Sequence, residues 1–286
     1  DALSTVQMAA LTAAQAAAIT STQTDAISSD DLNALSSAAL RALSTDALAA
    51  LDSVQIGALS TAKVAQLTTA QIASLLSADL NALGTTQFAA LTSAQAAALT
   101  STQADTLTTD DLAAMSASAV RQLSTAALAA LDSAQIGALT TAQVAALTTA
   151  QMRSLDSSDL NALTTEQFSV LNSGQIGALT SDQADTMTTA DLAAISATAL
   201  RGLSTAALAV LDSAQFNALT TAQVAAITAS QAAAITSAQA DTMTTDTLTV
   251  LTSAALRALS TDALAALDSV QIGALTNAQV AALTTA

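Results

Sequence analysis

Apolar residues recur along this chain with a period of eight. Starting at Leu3 and stepping by eight to Leu283, every one of the 36 positions is Leu, Ile or Met, so no insertion or deletion breaks the register. Five residues after each of these, from Met8 to Val280, a second column holds a large aliphatic residue or Phe at 28 of 35 positions, and Ala at most of the others. Between the two columns the chain turns polar in a fixed order. The residue after the Leu column is Ser, Thr, Asp or Asn throughout, except at Leu76 and Gly84. Three residues further on, Gln is the commonest residue, with Asp at five positions (Asp31, Asp79, Asp111, Asp159 and Asp191).

Ser or Thr followed three residues later by Gln is the capping box that opens an α-helix. The hydroxyl accepts the third amide of the helix, and the Gln side chain reaches back to the amide of the cap. Ala between them, as at Ala142 and Ala150, is the best helix former. The pattern predicts one helix of about a turn and a half per octad. With Thr140 as cap, the helix covers residues 141–146. Helices this short do not stand alone, so stability has to come from stacking. The predicted fold is an all-α solenoid, a superhelical array of very short capped helices. One continuous helix is excluded, because eight residues overshoot two turns and the apolar stripe would drift by roughly 80° per octad. A β-solenoid is the alternative. Against it, the two apolar columns are five apart, which in a strand puts them on opposite faces, and Ala and Gln are poor strand formers.

A longer unit lies over the octads. LSTDALAALDSVQIGALS starts at Leu43, and close variants start at Leu123, Leu203 and Leu259. The first two spacings are ten octads and the third is seven, so three octads are missing from the third without loss of register. The chain reads as a single repeat array over 1–286, with long units at 43–122, 123–202 and 203–258 and partial ones at 3–42 and 259–286. Both ends read as cut from a longer array, and the start at Asp1 without an initiator Met reads as a fragment or processed product. Asp25, Asp105, Asp185 and Asp241 share a column with Arg41, Arg121, Arg201 and Arg257, each Arg two octads after its Asp. If a coil contains two octads, these side chains stack as four Asp–Arg pairs.

Octads such as LTTAQVAA and LTTAQMRS, at 139–154, resemble those of very large, repetitive secreted bacterial proteins of the adhesin type. The resemblance spans essentially the whole chain. It implies an extracellular, cell-surface spacer, stalk or self-associating filament, whose partners are neighbouring repeats or further copies end to end. It carries no catalytic or binding residue.

Composition narrows the chemistry. The net charge is −16, with six Lys and Arg in all, too sparse for the clustered cations that nucleic acid requires. Polar residues interrupt every apolar run well short of the roughly 20 residues of a membrane span. His and Cys are absent, which removes His-based triads, thiol nucleophiles and His–Cys metal sites. Asp30–Asp31 and Asp110–Asp111 fall at the second and third helical positions, where negative charge suits the helix dipole. No converging loop accompanies them to make a calcium site. Asp52, Asp132, Asp212 and Asp268 sit in the cap column and read as caps. Gly57, Gly137, Gly177 and Gly273 share one column, which suggests close backbone approach. No enzyme activity, cofactor, metal or catalytic residue is expected. The one extended surface feature is the array of Ser and Thr. Its cap hydroxyls are engaged, and the next column, with Thr141, Thr149 and Thr165, is expected to be free. That column could bind ice, a polysaccharide or another adhesion target.

Overall fold

The computed structural model describes residues 3–283. Among them are 35 α-helices of four to six residues and no strand, with one helix in each octad. The helix at Thr141–Ala146 spans the residues expected from its cap. Asp1, at the head of the charged column, and Thr284, at the end of the cap column, lie outside the described residues. The Cα positions group into two compact units, Asp1–Ala146 and Leu147–Ala286. Each is built in the same way.

The caps form as the sequence dictates. The Gln143 amide donates to Thr140 Oγ1 at 3.2 Å, and the Thr140 amide donates to Gln143 Oε1 at 2.7 Å. Where the cap is Gly84, the half of the box that needs no cap side chain survives, with the Gly84 amide 2.6 Å from Gln87 Oε1. Leu76 caps nothing and is exposed. Where a helix runs up to the Leu column, the corner is two extended residues. Leu43 has φ −55° and ψ 133°, and Ser44 has φ −63° and ψ 157°. No described residue has positive φ, so the corners need no glycine, and the chain spends almost none on them.

Within each unit a helix packs against the third helix after it. Ala13–Ala17 lies against Ser37–Ala42, Thr85–Ala89 against Thr109–Ala114, and Ser181–Asp185 against Thr205–Val210. A coil is therefore three octads, and the two-octad coil is not what the chain makes. Asp25 and Arg41, two octads apart, stand on different sides of a coil, as do the other three proposed pairs. Arg121 Nη1 instead donates to the carbonyl of Ala146, in the next coil, at 3.2 Å.

Coils are tied together by the capping Gln itself. Gln71 Nε2 donates to Leu40 O at 2.8 Å and Leu43 O at 3.0 Å. Gln103 does the same to Ile72 and Leu75, and Gln223 to Leu192 and Ile195. The recipients are carbonyls at the end of a short helix, one already accepting the amide of the helix's C-cap and the other belonging to that C-cap residue. These Gln side chains are at most 7% exposed. Burial of an amide is tolerable only when it is hydrogen-bonded, and here both ends of each carboxamide are.

The two apolar columns fill the interior. Leu48, Ile56, Phe88, Phe168 and Phe216 are fully buried. Each Phe has an Ala two octads later in its own column: Phe88 with Ala104, Phe168 with Ala184, Phe216 with Ala232, all buried. Two octads is less than one coil, so the large and small side chains share a coil and its volume is conserved, as close packing demands.

Replacing Gln143 by Met should cost more stability than replacing Thr140 by Ala. The first strands the Thr140 amide and the Met115 carbonyl, and leaves Leu112 O with the Met115 amide alone, at about 1–3 kcal/mol per buried unsatisfied group. The second loses a cap worth about 0.5–2 kcal/mol. Leu139→Ala should cost about 2–5 kcal/mol. Chemical denaturation of the three variants measures the order.

Candidate functional surface

The acidic residues singled out in the sequence take structural positions. Asp31 and Asp111 are buried third residues of their helices, accepting from Ser28 Oγ and Thr108 Oγ1, each at 2.6 Å. Asp30 and Asp110, beside them, are exposed. Asp52, Asp132, Asp212 and Asp268 are caps, each accepting the amide of the Gln three residues on at 2.7–2.8 Å. Among the described residues, no group of three or more acidic side chains could hold a metal ion.

In the Ser and Thr column after the caps, several Ser hydroxyls are engaged. Ser77, Ser93, Ser157, Ser213 and Ser253 donate to a carbonyl in the next coil, at 3.2–3.5 Å. Ser53 Oγ donates to Asp79 Oδ1 at 2.7 Å. These hydroxyls are not free, which corrects the expectation for the column as a whole. Thr149 and Thr165 remain exposed and Thr141 is half-buried. Thr61, Thr85 and Thr109 follow one another at the coil spacing on one side of the first unit, the first two exposed and the third half-buried.

Four asparagines escaped the sequence reading. Asn33 Nδ2 donates to Ala58 O and its Oδ1 accepts the Ser60 amide, both at 2.8 Å. Asn81, Asn161 and Asn217 donate in the same way to the carbonyls of Thr106, Thr186 and Thr242 at 2.7–2.9 Å, with their Oδ1 atoms buried and unpaired. One coil and three residues beyond each Asn stands a cap whose helix lacks the third-position Gln: Ser60 with Lys63, Thr108 with Asp111, Thr188 with Asp191 and Thr244 with Thr247. At Ser60 the Asn from the coil before supplies the acceptor that Gln provides elsewhere. The signal was present in the sequence, but only at the coil period, which the octads alone do not reveal.

The glycine column also separates. A Cβ on Gly57 would stand 2.7 Å from Ala82 O, and one on Gly177 would stand 2.9 Å from Gly202 O. A Cβ on Gly202 would collide with Ser173 O outright. Close backbone approach explains these three. Nothing lies within 4 Å of the same position on Gly273.

A family model for the ALTTAQ repeat matches the sequence at residues 24–61, 72–109, 105–141, 152–189, 185–221 and 248–285, together more than half of the chain. A search of curated protein sequences found no match.

Gly202→Ala and Gly177→Ala should each lower the melting temperature, because the coils would have to part. Gly273→Ala should raise stability by about 0.5–1 kcal/mol, the helix-propensity gain of Ala over Gly. Thermal melts of the three variants, compared with the parent, check the split.

Proposed function

Because the chain belongs to the ALTTAQ repeat family, we propose that it serves as a structural repeat region, an extracellular spacer, stalk or self-associating filament of a bacterial surface protein, and performs no catalysis. The observation that carries this reading is that the interface between coils is also the chain's main polar chemistry. Most of the Gln carboxamides, four Asn side chains and several Ser hydroxyls join one coil to the next. An array of this kind is extended by adding coils, with stability close to a sum of nearest-neighbour terms.

The partners that fit are further coils. A neighbouring repeat or a second copy laid end to end would offer the same Gln, Asn and Ser groups that join coils within the chain. No described helix is long and apolar enough to cross a membrane, and the negative charge disfavours nucleic acid. A second reading, a binding surface for ice or a polysaccharide, is favoured by the Thr61, Thr85 and Thr109 series.

Protease added to intact cells of the source organism should remove the repeat region, and antibody against it should label their surface. A region protected until lysis would overturn the extracellular placement. The Thr61→Val, Thr85→Val, Thr109→Val triple variant should leave adhesion to polysaccharide, and ice growth in its presence, unchanged. A loss of either would replace the spacer reading with the binding one.

A further inference from the structure

A surface cavity of about 410 Å³ lies between two stacked helices of the second unit, Thr149–Ser154 and Ser173–Gly177. Its lining is Thr149, Ala150, Arg153, Gly174, Gly177 and Ala178. Packing accounts for Gly177, which faces the backbone of Gly202. Gly174 is held more loosely, its amide donating to the cap oxygen Asn172 Oδ1 at 2.9 Å. The backbone there has no positive φ, and the nearest atoms to an added Cβ are Asn172 Oδ1 at 3.1 Å and Thr149 Cγ2 at 3.8 Å. The same octad column carries Val6, Val54 and Val270 as exposed side chains. The missing side chain at Gly174 leaves room for the Asn172 cap oxygen on one side and opens the cavity towards Thr149 on the other.

The cavity belongs to one long unit. The positions ten octads earlier hold Ala73, Ala94 and Ala97, where this unit has Arg153, Gly174 and Gly177. A cation is gained and two methyl groups are removed at one place, in a chain with six Lys and Arg. Arg41, Arg121, Arg201 and Arg257 recur with the long unit, whereas Arg153 does not. Arg121 is used between coils. The exposed Arg153 guanidinium donates to no acceptor among the described residues. No carboxylate lines the cavity.

We propose that this cavity binds a saccharide unit carrying an oxyanion, a uronate or a sulfated sugar. A guanidinium presents paired N–H donors in the plane that a carboxylate or sulfate matches. The glycine backbone with Ala150 and Ala178 gives a shallow apolar floor for the face of a sugar ring, and Thr149 lines the cavity beside Gly174. The volume falls within the range of small-ligand sites. The proposal does not depend on the spacer role, which would persist without it.

The test is calorimetric titration of the full 286-residue chain with glucuronate, glucose 6-sulfate, glucose and inorganic sulfate. At least one of the two acidic sugars should bind, and more tightly than either glucose or sulfate. Arg153→Gln should weaken that binding about tenfold or more, the loss expected for a hydrogen bond to a charged group. Gly174→Val, which restores a residue that the column carries elsewhere, should weaken it comparably in a chain that circular dichroism shows to be folded. Arg257→Gln should change nothing. Failure of both acidic sugars to exceed glucose would overturn the proposal, as would undiminished binding in Arg153→Gln. Sulfate alone binding as tightly as the sugars would overturn the saccharide assignment.

Discussion

A buried Gln carboxamide that serves three partners is the interaction on which the rest of this structure depends. A helix of six residues is nearly all ends, and its unpaired amides and carbonyls outnumber the bonds within it. The Oε1 of Gln143 takes the amide of its own cap, and its Nε2 serves the carbonyls of Leu112 and Met115, which close a helix one coil earlier. One side chain thus removes unpaired groups from two helices and fixes the register between them. Helices too short to persist alone become stable because each supplies what its neighbour lacks.

The three-octad coil gives meaning to the irregular long repeat. The unit at 203–258 is shorter than its predecessors by three octads, which is one complete coil. Ten octads and seven octads both exceed a whole number of coils by one octad, so the short unit keeps the phase of the long ones. Loss of one or two octads would have set every later side chain against a different partner. The cost of such a shift is visible at Gly177 and Gly202, whose close approach holds only at a separation of one coil and one residue, and at Asn33 and Ser60.

Much of this was legible in the octads. The helix boundaries at Thr141–Ala146, the caps at Asp52 and Asp132, and the placement of Asp31 and Asp111 follow from local hydrogen-bonding rules that act within one octad. The number of octads per coil did not follow, because equivalent positions look alike whichever copy stands above them. The recurrence of Asp25 and Arg41 suggested two, yet those charges travel with a duplicated unit. The better clue was the constant offset of Asn33, Asn81, Asn161 and Asn217 from caps lacking Gln, one coil and three residues on. The engaged Ser hydroxyls of the column after the caps were hidden for the same reason, since their acceptors lie in the next coil. The cavity at Arg153 shows as a departure from the repeat only once the two helices that line it are known to be stacked.

The coil period is open to direct measurement, because the chain contains no Cys and spin labels can be placed in pairs. Thr85 and Thr109 begin helices that stack on each other, whereas Thr85 and Ser101, two octads apart, begin helices on different sides of a coil. Labels at 85 and 109 should show strong dipolar broadening in the continuous-wave spectrum of the folded chain, and labels at 85 and 101 should show much less. Stronger broadening at 85 and 101 would contradict the three-octad coil and, with it, the Gln ladder that defines its register.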